Sequence, residues 1–296
     1  MAGKFAKRID EQMRCALVVA LHTAAAQREY PTQAFQKIVN GKICQYSIVD
    51  LAAQEAFIRT MAKKFPTIGW YCEENNFVMA CEMEGHDVRI VLDPIDGSMS
   101  EIRNDGFGVG TMAALVIDGE IVASYVGDVD RASIVGFGPG SPDVFLWRDA
   151  HFDDQGVNLT KRRFAAVPLC NHKVLLRREA DEYEWPFSRV LRSTAFGGAF
   201  SRALIMSGSL GLNFTHLWRG GVAAVALPRR EQVDPWDAIP LIGINRRMGM
   251  TYVSVRGRTL FEFEPRITFN AVAQPKDVIV IHSSSLPDLQ QAIANL

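Results

Sequence analysis

Phe5, Ile9, Met13, Ala16, Ala20 and Ala24 recur every three or four residues, a spacing that predicts an amphipathic helix over residues 4–29, stopped by Pro31. A second stripe, Ile48, Leu51, Glu55, Ile58, Ala62 and Phe65, predicts another helix, with Ser47 as N-cap, Asp50 in the first turn and Pro66 as its stop. The pattern then shifts to short apolar runs. Trp70-Tyr71-Cys72 ends on Glu73-Glu74, and Val88–Leu92, interrupted only by Arg89, reads as a strand that stops at Asp93. Met112–Ile117 and Ile121–Val126 flank Asp118-Gly119, a strong hairpin signal. The glycine-rich stretch from Gly106 to Thr111 runs into the first of these strands, whereas a nucleotide loop leads from a strand into a helix. It is therefore read as a turn.

Gly, Pro and Asp concentrate between Ser133 and Asn158, predicting loops around short strands. Val167–Leu176 opens a second half. A helix is expected near 179–190, and another begins at Gly197-Gly198, runs through Met206 and ends at Gly208. Asp234 suits an N-cap and Pro235 the first helical position, which puts Trp236 and Asp237 in the first turn of a late helix. No internal repeat is seen. The succession of elements predicts an α/β (α+β) layered architecture, with an N-terminal half over residues 1–165 and a C-terminal half over 166–296.

Bulk composition narrows the function class. With 296 residues, 48% hydrophobic and 22% charged, the chain reads as an ordinary globular protein able to bury a large core. A net charge of −1 gives no electrostatic case for a nucleic-acid polymer or a membrane surface. The five cysteines are scattered and odd in number, which argues for thiols in a reducing, cytoplasmic compartment. The six histidines show no zinc spacing. Lys4, Lys7 and Arg8 are followed by Asp10, Glu11 and Arg14, so the N-terminus reads as a helix and not as a signal peptide, and no run is long enough to span a membrane.

The chemistry concentrates in Val91-Leu92-Asp93-Pro94-Ile95-Asp96-Gly97-Ser98. Pro94 fixes its own φ, and Gly97 tolerates backbone angles that other residues resist. Asp93, Asp96, the Ile95 carbonyl and the Ser98 hydroxyl make an all-oxygen environment of the kind hard cations such as Mg²⁺ prefer. Each acidic segment alone has a plainer explanation: an Asp-Pro/Asp-Gly surface turn, a solvated Glu73-Glu74 loop, and a carboxylate complementing a helix dipole at Asp50 or Asp237.

Taken in order, Tyr46-Ser47-Ile48-Val49-Asp50, Glu73-Glu74, D-P-I-D-G-S and Trp236-Asp237 resemble the inositol monophosphatase superfamily of Mg²⁺-dependent, lithium-sensitive phosphatases, over roughly Ser47 to Met248. The resemblance implies an αβαβα sandwich of two halves, two or three Mg²⁺ ions, a small phosphorylated metabolite as substrate and a homodimer. It implies that Glu73, Asp93 and Ile95 hold a first ion, and Asp93, Asp96 and Asp237 a second. Ser98, Asp50 and Glu74 would orient the attacking water, with Glu73 counted among the catalytic groups. Gly97 and Ser98 would offer backbone N–H groups to the phosphate. Arg192-Ser193 resembles the family's R-S pair ahead of a glycine-containing substrate loop, which adds Arg192, Gly197 and Gly198 as substrate contacts.

There are departures. Ser98 replaces the commoner threonine, Pro240 follows Asp237 by three residues, and the connection from Leu210 to Gln232 is unusual. That connection carries Arg229-Arg230 where relatives often have an acidic residue that contacts a sugar hydroxyl. Arg230 is thereby a candidate for a second anionic group on the substrate. An inositol monophosphate-type ester is the default substrate. A 3′(2′),5′-bisphosphate nucleotide or a sugar bisphosphate is the alternative within the superfamily, and a catalytically weak binding homologue is the alternative outside enzymes.

Overall fold

The computed structural model describes residues 2–28, 34–39, 42–74, 77–79, 81–103, 108–152, 156–161 and 168–296. Five layers alternate helix, sheet, helix, sheet, helix, and side-chain alternation along the strands shows why. In the His86–Asp96 and Gly110–Ile117 strands, Ile90, Leu92, Ala113 and Leu115 pack into one core. Their neighbours Val91, Met112, Ala114 and Val116 pack into another. The first core is shared with the helices Ala2–Gln27 and Ile48–Ala62. The second holds the helices Leu210–Trp218 and Pro235–Arg247 between the sheets. In the second sheet, Val278 and Val280 face that middle layer, while Ile279 and Ile281 face the outer helices Phe187–Val190 and Leu286–Ala294.

Among the described residues the first sheet has nine strands. Its main path runs 157–158, 145–147, 133–137, 120–128, 110–117, 86–96, 69–72 and 77–79, with 82–83 pairing beside 86–96. The second has six, in the order 202–205, 173–176, 224–227, 278–282, 250–256 and 259–263. Among the described residues no helix is long and apolar enough to cross a membrane.

The first helix buries the whole predicted stripe, and the Asp118-Gly119 turn has φ of 51° and 81°, as a two-residue hairpin requires. Pro31 lies outside the described residues, as do Gly106 and Phe107 of the glycine-rich stretch.

Other expectations are corrected. The helix starting at Ile48 turns a different face inward: Val49, Asp50, Ala53, Gln54, Phe57 and Met61 are buried, while Ile48 is exposed. The more apolar stripe loses because Asp50 and Gln54 find hydrogen-bond partners inside, and a satisfied polar group can be buried at little cost. The strand at Val88–Leu92 does not stop at Asp93. It continues to Asp96 through a register shift between the two aspartates. The helix expected from Gly197 is a strand, Arg202–Ile205, paired in parallel with Lys173–Leu176. The preceding glycines form a tight turn: Gly197 has φ 75°, and a Cβ on Gly198 would lie 1.8 Å from the Arg192 carbonyl oxygen. The helix expected near 179–190 is a 3₁₀ turn, Ala180–Glu182, and a short helix, Phe187–Val190, set apart by Pro186.

Candidate metal and phosphate site

Strand register brings the first two carboxylates together. The Gly69–Cys72 strand runs parallel to His86–Asp96 with Cys72 opposite Leu92, and the Glu73 N–H donates to the Leu92 carbonyl at 3.1 Å. Glu73, just past the end of its strand, and Asp93, at the point where its strand becomes irregular, therefore emerge side by side near the carboxyl ends of two adjacent parallel strands, a position where ligands commonly sit in such sheets. Opposite Asp93 to Asp96 the partner strand advances only from Met112 to Gly110. The extra residue is a bulge, which the Thr111 hydroxyl fixes by donating to the Pro94 carbonyl at 2.8 Å. Gly97 then turns the chain with φ 97°, and a side chain there would meet the Ser209 backbone nitrogen at 2.7 Å. Only glycine lets this loop pack against the start of the Leu210–Trp218 helix.

Asp50 arrives from the second helix. Its Oδ2 accepts from the Ser47 N–H at 2.8 Å and the Ser47 hydroxyl at 2.5 Å, a capping box that fixes the carboxylate. Its other oxygen, Oδ1, lies 2.5 Å from the Ser98 hydroxyl, which is also 2.8 Å from the Ile95 carbonyl oxygen. One turn on, the Gln54 amide exchanges hydrogen bonds with the Glu74 backbone at 3.0 and 3.1 Å. The buried face of this helix thus anchors both Ser98 and the Glu73-Glu74 loop.

The middle helices complete the ring. Asp96 Oδ2 accepts from the Ser209 hydroxyl and the Gly211 N–H, each at 2.6 Å, so it faces the positive end of the Leu210–Trp218 helix. Asp237 lies in the first turn of Pro235–Arg247, next to Trp236, whose ring packs at a tilt against Tyr71 with centroids 5.7 Å apart. Arg230 Nη1 stands 3.7 Å from Asp237 Oδ2. Glu73, Asp93, Ile95, Asp96, Gly97, Ser98 and Asp237 line one open cavity of about 330 Å³, together with Arg177, Ser207, Gly208, Leu210 and Arg230.

Burial, then Glu73, Asp96 and Asp237, hold the Asp93 carboxyl well above its ordinary range. Burial pushes Asp237 up to about 7, opposed by Arg230 and reinforced by Asp96 and Glu73. Asp93 Oδ1 is buried without a hydrogen-bond partner. Crowded carboxylates with an unsatisfied oxygen, a nearby carbonyl and a hydroxyl suit a hard divalent cation. Among the described residues, however, no three His, Cys, Asp or Glu side chains converge closely enough to form a finished ligand cluster. Asp96 is drawn to Ser209 and Gly211, and Asp237 is paired with Arg230. The donor set fits the cation, provided that these contacts yield to it.

A pH dependence follows. The metal-free folded state holds protons on Asp237, and on Asp93, that the unfolded chain releases at lower pH. The stability these protons contribute is complete below the ordinary carboxylate value of 3.8 and is lost as pH rises through about 7 at Asp237. A cation needs the ionised form, so Mg²⁺ should bind about tenfold more weakly per pH unit below pH ~7 for each proton displaced, and should raise Tm more at pH ~8 than at pH ~6. Calorimetry in buffers of different ionisation enthalpy reads the proton release. A pH-independent affinity would rule out these carboxylates as ligands.

Three expected substrate contacts lie elsewhere. Arg192 pairs with Asp181 at 2.7 Å, Gly197 and Gly198 close the turn around the Arg192 carbonyl, and none of the three lines the cavity. Arg229 points to Glu184, at 2.8 Å, and away from the cavity. Sequence reading missed Arg177 and the Ser207-Gly208-Ser209 loop. Arg177 directly follows the apolar run Val174-Leu175-Leu176, the same pattern that marked Asp93 at a strand end, but no proline or glycine flags it.

A family model described as the inositol monophosphatase family matches residues 24–287. No curated protein matches the chain. Among solved structures it is similar to the extragenic suppressor protein SuhB from Bartonella henselae, with TM-score 0.69, 17% identity and coverage of 97% of this chain and 98% of that one. It is also similar to the Thermotoga maritima IMPase, with TM-score 0.68, 18% identity and coverage of 98% and 97%. An IMPase/NADP phosphatase complexed with Mg²⁺ and phosphate aligns with TM-score 0.68 at 14% identity, over 97% of this chain and 95% of that one. At these identities the structural likeness shows the fold.

Proposed function

The chain belongs to the inositol monophosphatase family, a family of phosphomonoesterases, and we propose that it is a Mg²⁺-dependent phosphatase of a small phosphorylated metabolite. The observation that carries this reading is the shared cavity of Glu73, Asp93, Asp96 and Asp237, with an unpartnered buried oxygen on Asp93. In the proposed assignment Glu73, Asp93 and the Ile95 carbonyl hold one ion, and Asp93, Asp96 and Asp237 a second. Ions held there would supply the positive charge that polarises the phosphate and lowers the pKa of the attacking water.

The protein's own residues do the rest. Ser98, with its hydroxyl between Asp50 Oδ1 and the Ile95 carbonyl, orients a water and passes its proton toward Asp50. Asp50 stays in place because its other oxygen is tied into the helix cap, and the Gln54 contacts hold the Glu73-Glu74 loop beside it. Gly97 and Ser98 line the cavity where the phosphate would lie. A cytoplasmic location, on the scattered thiols, and a homodimer, on the family resemblance, belong to the same proposal. The test is release of inorganic phosphate from a panel of phosphomonoesters. Hydrolysis should require Mg²⁺, vanish with chelator and fall with Li⁺. Undiminished hydrolysis in chelator would overturn the metal reading, and no hydrolysis of any ester would overturn the whole.

A further inference from the structure

The six-stranded sheet turns one rim toward the carboxylates, and that rim is basic. The Lys173–Leu176 strand is parallel to both Arg202–Ile205 and Ala224–Leu227, so the carboxyl ends of all three lie on one edge. Arg177 follows the first, Ser207 and Gly208 follow the second, and Arg230 comes three residues after the third; all four line the catalytic cavity. Carboxyl ends of adjacent parallel strands are a common ligand position in open sheets.

Both guanidiniums are placed by the fold. The Arg177 N–H donates to the Tyr183 hydroxyl at 3.1 Å, and its Nη1 donates to the Gly208 carbonyl at 3.1 Å, a neutral partner that leaves its charge in place. Arg229 is pinned outward by Asp277, through its N–H at 2.7 Å, and by Glu184. Arg230 opens the next strand, Arg230–Val233, opposite Gln274, whose amide donates to the Pro228 carbonyl at 2.9 Å, and its side chain lines the cavity beside Asp237. The 3.7 Å separation from Asp237 is longer than the 2.7–2.9 Å of a charge-assisted hydrogen bond, so the fork of Arg230 is not saturated. Burial lowers the pKa of the Arg177 guanidinium, Asp96 opposes that and the Arg230 charge adds to it, so Arg177 feels both the acidic cavity and the second arginine.

Four carboxylates line the cavity, Glu73, Asp93, Asp96 and Asp237, and two divalent ions would match them in charge. Arg177 and Arg230 are then surplus positive charge on the wall facing the ions. We propose that Arg177 and Arg230 form a second anion subsite, so that the preferred substrate is a phosphomonoester carrying a further phosphate or carboxylate. The inference rests on the phosphatase reading and names the substrate class of that site. The competing account is that the two arginines serve only as counter-ions to the acidic cavity before metal binds.

The test uses matched pairs with the full chain in Mg²⁺: fructose 1-phosphate against fructose 1,6-bisphosphate, and glycerol 3-phosphate against 3-phosphoglycerate. The kcat/KM ratio of the doubly anionic to the singly anionic member should be about tenfold or more in at least one pair, and which pair responds tells phosphate from carboxylate. Arg177→Gln and Arg230→Gln should each reduce that ratio about tenfold, while Arg229→Gln leaves it where it was. Ratios near one in both pairs, or a ratio unmoved by Arg177→Gln and Arg230→Gln, would overturn the subsite and leave the phosphatase reading intact. Calorimetric binding of the same pairs, with Ca²⁺ in place of Mg²⁺, gives the ratio without turnover. A protein that hydrolyses nothing would therefore still decide the subsite while sinking the phosphatase reading.

Discussion

Asp93→Asn is expected to lower kcat on the order of 10³-fold with Mg²⁺ present. Asp93 is buried, repelled by three neighbouring carboxylates and left with an unpartnered oxygen, and the proposed assignment has it bridging both ions. Asparagine keeps the shape and removes the charge. The same change should leave the metal-free protein at least as stable as the parent, since asparagine is neutral at every pH and Asp93 must hold a proton to sit there without metal, and should cut the Mg²⁺-induced rise in Tm. Thermal unfolding with and without Mg²⁺ separates a lost ligand from a damaged fold. Near-parental turnover would remove Asp93 from the ligand set.

Ser98→Ala should lower kcat by roughly 10²–10⁴-fold, the usual cost of removing a group that relays a proton or positions water. The Ser98 hydroxyl sits 2.5 Å from Asp50 Oδ1 and carries no charge of its own, so Mg²⁺ affinity measured by calorimetry should stay close to parental. Ser98→Thr should restore most of the rate. Asp50→Asn combined with Ser98→Ala should cost little more than either alone, because two members of one relay do not act additively. Additive losses, or an unchanged kcat in Ser98→Ala, would leave Ser98 as no more than the first residue of the Ser98–Arg103 helix.

The proposed metal site was legible through the resemblance carried by the order of Glu73-Glu74, Asp93–Ser98 and Trp236-Asp237, and local signals mark where several of these residues stand. Pro94 and Gly97 bracket the Asp96 turn, Ser47 caps the helix that carries Asp50, and Pro235 opens the helix that carries Asp237. Such signals work over a few covalent neighbours, so they survive reading without a structure. The layered fold class was legible for a similar reason, since alternating helical and strand periods are written along the chain.

What sequence could not supply depended on partners far along the chain. The inward face of the Ile48–Ala62 helix was settled by bonds from Asp50 to Ser98 and from Gln54 to Glu74, not by the most apolar stripe. The segment after Gly198 became a strand because Lys173–Leu176 offered it a parallel edge, and pairing across sequence leaves no mark in local periodicity. Arg229 and Arg230, adjacent and chemically alike, part ways: Asp277 and Glu184 hold the first, and the second lines the cavity beside Asp237. By itself the chain determined which carboxylates and turns it owns, through short-range backbone preferences. Which of its arginines face those carboxylates was decided only by tertiary packing, because orientation depends on the partners that strand pairing brings alongside.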